Sequence, residues 1–414
     1  MISFSIQSFG CRVNQAEAFS WAYELQNHGL GYTEDFFRSD IVLINTCTLT
    51  SHADRDVRKF MNRVSRLNPE ARLIITGCFV ERNREELQRD PHLWKVFLNQ
   101  EKEYLTERIL SSLKPRGKKN YRPYRSRPLI KIQDGCDSHC SFCIIPSVRG
   151  KSISISKAKI LAQAKEFSRQ GFREIVLTGI HISSYGIDQK PSCSLLDLLQ
   201  DIENLEGVGR VRLSSLDPRF LDQPLLAHIT SSAKICPHFH ISLQHCSDKI
   251  LRRMGRKIGL EEFQSALEFL RKKSSFAALG ADIIVGFPGE TEKDFETVVR
   301  FLLQSPLNYM HVFSYSPRPG TEAARWKQVD GRIKKKRASR LRELSNKKNL
   351  SFRQSLRGQV CEGIVIKKEN GGVQVLTSNY IKVHVPSCSS DEKSEVKVRI
   401  TEVGANFTNG TLLS

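Results

Sequence analysis

The sequence has no run of 18 or more apolar residues, so no membrane-spanning helix is expected, and its first ten residues lack the basic region of a signal peptide. A soluble, cytoplasmic chain with no membrane partner follows as the expectation. Acid is also in short supply: 44 acidic residues face 64 basic ones over 414 positions, a net charge of +20. Such an excess disfavours cationic partners and points to a polyanion, nucleic acid before membrane, because no basic helix carries a large apolar face. Eleven cysteines in a chain without an export signal are poor candidates for disulfides, since the cytosol keeps thiols reduced. The closely spaced ones read better as metal ligands. The 39% hydrophobic content supports ordinary buried cores in two or three domains.

Three of these cysteines fall within eight residues, Cys136-Asp-Ser-His-Cys140-Ser-Phe-Cys143, directly after the apolar run Leu129–Ile132. A fourth cysteine is missing. Thiolates are the usual protein ligands of iron–sulfur clusters, and three in one tight loop hold three corners of a cube and leave one open. Structural zinc is the rival, but it wants four ligands, and the nearby candidate is His139, inside the loop. The pattern C-x3-C-x-aromatic-C, with Phe142 before the last cysteine, resembles the cluster motif of the radical S-adenosylmethionine (SAM) enzymes. That resemblance implies a 4Fe–4S cluster on Cys136, Cys140 and Cys143 whose open iron is chelated by SAM. Electron transfer then breaks the sulfonium bond to give a 5′-deoxyadenosyl radical.

The first third reads as strand-then-helix units with strands at Phe4–Ser8, Ile41–Asn45 and Leu73–Thr76. Cys11, Cys47 and Cys78 each lie just past a strand's carboxyl end, and in a parallel α/β sheet those ends line one edge. Any one of them alone would read as a small buried hydrophobe; the repeated position suggests three thiolates that meet. Phe9-Gly-Cys-Arg-Val-Asn14, Ile44-Asn-Thr-Cys-Thr48 and Ile75-Thr-Gly-Cys78 resemble the N-terminal segment of the methylthiotransferases, a radical SAM subfamily. The resemblance implies a flavodoxin-like three-layer α/β domain and a second, auxiliary 4Fe–4S cluster on Cys11, Cys47 and Cys78, whose open iron carries the sulfur to be inserted.

From Leu129 to Ser316 strand and helix alternate about six times, with strands expected at Leu129–Gln133, Glu174–Thr178, Val211–Ser214, His240–Leu243, Ala281–Val285 and Met310–Ser314. Six units are too few for a closed eight-stranded barrel. They match the partial (β/α)6 barrel of radical SAM enzymes, whose open side admits bulky substrates. Thr178-Gly179 would border the methionyl part of SAM and Gly286 its adenosine, glycine permitting close approach. Phe142 joins them as a cofactor-binding residue. The family usually has Gln-Ser-Gly after the fourth of these strands, whereas this chain has Gln244-His-Cys246. Cys193, Cys236, Cys246, Cys361 and Cys388 lack ligand spacing and read as structural thiols.

The segment Lys114–Arg127 has seven basic residues in fourteen with proline and glycine, a linker composition. Tyr121 and Tyr124 among its arginines could stack on RNA bases, or the segment could be a solvated connector. A basic helical stretch over Asp330–Arg357 reads as a solvated face. Short β-rich runs follow at Val360–Ile366, Val373–Leu376, Ile381–Val385 and Val396–Ile400, resembling the TRAM β-barrel that ends methylthiotransferases. From Gly358 onward six basic residues meet six acidic ones, so phosphate attraction is expected from the linkers. The expected division is 1–116, auxiliary-cluster domain; 122–352, radical SAM core; and 353–414, TRAM-like barrel.

Asp40–Cys47, Asn68–Ala71, Pro237–His240 and His311–Thr321 look most like the branch that acts on N6-threonylcarbamoyladenosine in tRNA. The resemblance implies methylthiolation of adenine C2 at the adenosine just 3′ of the anticodon, with tRNA, a reductant and a sulfur source as partners. Sister branches modify isopentenyladenosine in tRNA or an aspartate of a ribosomal protein. Outside this class stand an electron-transfer iron–sulfur protein, which would normally have four thiolates per cluster, and a non-catalytic RNA-binding protein.

Overall fold

Three β-units follow one another along the chain in a computed structural model that describes residues 2–115, 124–369 and 371–413. The first is a parallel sheet of β1 (Ser3–Ser8), β2 (Gly31–Tyr32), β3 (Ile41–Thr46), β4 (Arg72–Gly77) and β5 (Leu93–Phe97), in the order β2-β1-β3-β4-β5. This is the flavodoxin-like order, and its crevice opens between β1 and β3, where the direction of winding reverses. Helices cover both faces. Ile41, Leu43 and Ile74 pack on one side, and Val42, Ile44 and Ile75 on the other, which is why these strands read as continuous apolar runs.

The central unit contains β6 (Leu129–Asp134), β7 (Ile153–Ser154), β8 (Glu174–Gly179) and β9 (Arg210–Leu213), ordered β7-β6-β8-β9, then β10 (His238–Gln244), β11 (Ala278–Val285) and β12 (Tyr309–Ser314). Single parallel bridges, Val211 with Ile235 and Leu216 with Ile241, join the two sheets. Six parallel strands therefore curve into a partial barrel, with β7 antiparallel on its first edge. Outward residues such as Ile175, Leu213, Ile241 and Ile283 form a helix-covered core. The helices start where side chains cap them: Thr291 Oγ1 accepts from the Asp294 amide at 3.2 Å while the Asp294 carboxylate accepts from the Thr291 amide at 2.9 Å.

The last unit is a closed barrel of β13 (Val360–Glu369), β14 (Gly372–Thr377), β15 (Lys382–Pro386), β16 (Glu395–Val403) and β17 (Thr408–Leu413). Sequence reading finds four of its strands and misses β17, whose Thr-Asn-Gly composition has low β-propensity. The turn after β14 docks on the amino ends of the central strands. Buried Arg212 donates to the carbonyls of Ser378 at 2.9 Å and Thr377 at 3.2 Å, and the Tyr380 ring stacks on His238 at 4.2 Å.

Helix Arg12–Asn27 ties the first unit to the second. Ala18, Trp21, Ala22 and Leu25 face the first sheet, while Phe19 packs into the central core and Ala16 against Leu129 and Val176. Tyr124 continues this seam, its ring stacked on Tyr32 at 4.9 Å and tilted against Phe19. Packing thus occupies Tyr124, so at this residue neither of the two readings of the segment, base stacking or a solvated connector, describes the ring. Arg125 donates to Gln15 Oε1 at 3.4 Å, and the RNA contacts expected of Arg116, Lys118, Lys119, Tyr121 and Arg122 lie outside the described residues. The basic helix Gly331–Ser355 is not solvated all round: buried Arg337 donates to Glu290 Oε1 at 2.8 Å and Glu292 Oε2 at 2.8 Å. Among the described residues, no helix is long and apolar enough to cross a membrane.

Candidate functional site

Cys11, Cys47 and Cys78 follow β1, β3 and β4, adjacent strands whose carboxyl ends flank the crevice of the first sheet. Cys11 occupies the N-cap of helix Arg12–Asn27, where the helix's partial positive charge favours a thiolate. Two glycines make the approach possible. At Gly10, with φ +86°, a Cβ would lie 2.5 Å from Cys47 Sγ; at Gly77, with φ +106°, it would lie 2.4 Å from the Thr46 carbonyl oxygen. Any side chain at either position would push the cysteine loops apart. Cys47 and Cys78 are buried, 4% and 3% exposed, and all three of these cysteines are free of disulfides. Burial pushes the Cys47 thiol up to about 12 and raises Cys11, against the pull of Arg149.

The loop after β6 carries Cys136, Cys140 and Cys143. Gly150 and Met254 hold it through backbone bonds, Cys136 N–H to the Gly150 carbonyl at 3.1 Å and Ser141 N–H to the Met254 carbonyl at 3.0 Å. The Ser138 amide donates to Cys136 Sγ at 3.4 Å, and the Leu49 amide to Cys47 Sγ at 3.5 Å, so N–H dipoles already face sulfur in both groups. Burial drives the Cys143 thiol up to about 12. Thiols so desolvated stay neutral unless a cation compensates the thiolate, the donor chemistry of an iron–sulfur or zinc site. His139, the sequence candidate for a fourth zinc ligand, is exposed.

The two cysteine groups are neighbours. Cys78, Cys136 and Cys143 share one small apolar cluster with Ile144, Ile145 and Val148. Arg149, six residues after Cys143, reaches across: its Nε–H donates to Cys78 Sγ at 3.3 Å, and its Nη2–H donates to Asn14 Oδ1, while Asn14 holds the Phe9 carbonyl at 2.8 Å. Arg149 is held in turn by Asp134 at 2.8 Å and Glu17 at 3.2 Å. Glu17 also meets Lys102 at 2.6 Å, Lys131 at 3.0 Å and the Asn45 amide at 2.9 Å. Burial pushes the Glu17 carboxyl up, but Lys102, Lys131 and Arg149 outweigh it and hold it well below the usual carboxylate range. Replacing Glu17 by alanine leaves the buried Lys102 and Arg149 and the partly exposed Lys131 short of a partner, with an expected cost of about 3–5 kcal/mol. Thermal unfolding should show it, and adding Lys102→Met should recover part of the loss; an unchanged midpoint in the single variant would contradict the role of this hub.

The residues expected around SAM lie at the strand ends, but their local roles differ. Thr178 is buried with an Oγ1 that has no hydrogen-bond partner, and Ser214 and Ser215 at the next strand end carry orphaned hydroxyls too. Buried hydroxyls without partners in a lumen fit a polar ligand. Gly179 serves packing, since a Cβ there would lie 2.9 Å from the Gln133 carbonyl oxygen. The Gly286 amide already donates to Glu290 Oε2 at 2.6 Å. Phe142 packs edge-on to Phe287 at 6.3 Å. The departure at Gln244-His245-Cys246 is absorbed by the core: His245 is fully buried 3.6 Å from Glu290, and Cys246 joins the apolar cluster.

Sequence reading missed Arg149, Glu17 and Arg318. The last is buried, donates to Thr48 Oγ1 at 2.7 Å, pairs with Asp54 and so clamps the loop after β12 to the one after Cys47. The signal for Arg149 was its place in the run Cys143-Ile-Ile-Pro-Ser-Val-Arg149.

With this geometry in place, comparison with known proteins decides the family. Residues 130–302 match the radical SAM superfamily and residues 3–99 an uncharacterized family designated UPF0004. A protein of Aquifex aeolicus named threonylcarbamoyladenosine tRNA methylthiotransferase MtaB is 35% identical over 92% of this chain and 95% of its own length. Its namesake in Bacillus subtilis is 33% identical over 99% of this chain and 96% of its own. The chain belongs to the MtaB family of radical SAM methylthiotransferases. Among solved structures, the radical SAM methyltransferase TsrM from Kitasatospora setae matches with a TM-score of 0.54 at 12% identity, covering 78% of this chain and 74% of its own. The cobalamin-dependent radical enzyme OxsB matches with a TM-score of 0.51 at 11% identity, covering 78% and 55%. At these identities the likeness shows the fold alone, while the MtaB-family assignment rests on the curated relatives.

Proposed function

We propose that this enzyme methylthiolates C2 of N6-threonylcarbamoyladenosine next to the anticodon of tRNA, giving the 2-methylthio derivative. The supporting observation is near full-length similarity to MtaB proteins at 33–35% identity. An adenine C2–H bond has no acidic proton and no leaving group, and two bound 4Fe–4S clusters with SAM supply radical cleavage and sulfur insertion that side chains cannot.

In this reading Cys136, Cys140 and Cys143 would hold the radical cluster, which would supply the reductive cleavage of SAM. Phe142, Thr178, Gly179 and Gly286 border SAM, the free Thr178 hydroxyl giving it a polar contact. Cys11, Cys47 and Cys78 hold the auxiliary cluster, and Arg149 fixes the distance between the two groups and lends N–H and positive charge to Cys78. The chain's part is geometric: it holds the reacting atoms in line and keeps water from them. A reductant and a sulfur source complete the set of partners, and a tRNA substrate supports a cytoplasmic location.

Anaerobically reconstituted protein is expected to carry about eight irons, the content of two cubane clusters. With SAM, a reductant and tRNA bearing threonylcarbamoyladenosine it should release 5′-deoxyadenosine. Four irons would remove the auxiliary cluster from the account. No 5′-deoxyadenosine would favour an electron-transfer or purely RNA-binding protein.

A further inference from the structure

The lumen of the central barrel carries a row of side chains that neither cysteine group uses. Along β12, Met310 and Val312 pack outward against the helix-covered core. Their neighbours Tyr309, His311 and Phe313 therefore face the lumen. Tyr309 Oη lies 2.8 Å from His238 Nε2 and 3.1 Å from His240 Nδ1, both on β10. From β11, Asp282 stands between His240 Nε2 at 3.0 Å and His311 Nδ1 at 3.3 Å, and the two imidazoles stack 4.7 Å apart. Burial pushes the Asp282 carboxyl up, but hydrogen bonds from His240 and His311 outweigh it and keep it ionised.

Exposure is uneven along this row. His240 is buried at 8%, whereas Phe313 is 46% exposed and the His311 side chain 55%. A phenylalanine left open inside a barrel, two residues nearer the strand's carboxyl end than a half-open imidazole, suits a ligand that is flat at one end and polar at the other. Two strand residues span roughly 7 Å, about the reach of a carbamoyl-linked amino acid from a purine ring. An apolar appendage would instead desolvate Asp282 and two imidazoles without replacing their water.

We propose that this lumen face is the subsite for the N6-appended group of the substrate nucleoside, with Phe313 against the adenine and His311 meeting the hydroxyl, carbamoyl or carboxylate of the appended amino acid. Asp282, His240 and Tyr309 are positioning residues that fix the His311 ring. With its Nδ1–H given to Asp282, that ring offers Nε2 to a hydroxyl or N–H, and when protonated to a carboxylate. The proposal rests on the substrate reading given above.

The test uses reconstituted holoenzyme and one tRNA in two forms, with threonylcarbamoyladenosine or plain adenosine beside the anticodon. Wild-type protein should bind the modified form more tightly. His311→Ala should bring that preference close to unity and raise KM roughly tenfold or more, with iron content showing that the variant is folded and loaded. Phe313→Ala should weaken both forms, and Phe313→Tyr should restore them. Unchanged KM and preference in both alanine variants would overturn the subsite. So would one equivalent of zinc bound by wild type and lost in His311→Ala, which would make His240, Asp282 and His311 a metal site. Failure of wild-type protein to modify the threonylcarbamoylated tRNA would instead overturn the substrate reading underneath.

Discussion

Replacing Cys140 by alanine should remove about half of the iron from reconstituted protein and abolish SAM cleavage, whereas Cys47→Ala should remove the other half and leave SAM cleavage measurable. The asymmetry follows from position. Cys140 lies in the loop after β6 at the mouth of the central barrel, beside the strand ends that carry the unpartnered Thr178 and Ser214 hydroxyls. Cys47 lies in the crevice of a different sheet, between β1 and β4. Sulfur insertion should fall to background in both variants, but 5′-deoxyadenosine formation should be lost in the Cys140 variant alone. Equal loss of both activities in a folded Cys47 variant that retains four irons would contradict this division of labour.

Arg149→Met is expected to reduce methylthiolation roughly 10–100-fold, the usual scale for partners that orient a metal's ligands. The Arg149 side chain is 1% exposed and joins Cys78, Asn14, Asp134 and Glu17, so it touches one cysteine of the first group and the charge hub beneath it. Losing an N–H and a positive charge beside a thiolate favours the oxidised cluster, and the auxiliary cluster's midpoint potential should fall while the radical cluster's stays in place. Electron paramagnetic resonance of the two clusters during reductive titration distinguishes this from general unfolding, which would disturb both. Arg149→Lys should recover part of the potential but less of the activity, because an ammonium keeps charge without the planar fork that spans Cys78 and Asn14. Equal potentials in wild type and Arg149→Met would show that the contact to Cys78 is only structural.

Much of this arrangement is legible in the chain because local chemistry and fold agree. Short apolar runs ending in Phe-Gly-Cys, Asn-Thr-Cys and Thr-Gly-Cys mark both strand and ligand, since Gly10 and Gly77 are required where the cysteine loops meet. Three edge strands were not legible: β2 and β7 have two residues each, too short to show a period, and β5, Leu-Trp-Lys-Val-Phe, was also missed. The contacts that join the units were also hidden, for they link residues far apart, as Glu17 to Arg149 and Arg212 to Thr377 do. Charge counting misled at Arg337, which a basic run suggested was solvated and which Glu290 holds in the interior. The last barrel is likewise more than an appended module, because its removal would uncover Arg212, which it holds through the Ser378 carbonyl, and the Glu174 that pairs with Arg212.

The central claim is that this chain inserts a methylthio group at C2 of threonylcarbamoyladenosine in tRNA. It is tested most directly by mass spectrometry of tRNA nucleosides from a strain lacking its own such enzyme and expressing this chain. The account predicts that N6-threonylcarbamoyladenosine is converted to its 2-methylthio derivative by the wild-type chain and not by Cys47→Ala or Cys140→Ala. Conversion of isopentenyladenosine instead, or no new methylthio nucleoside at all, would contradict it.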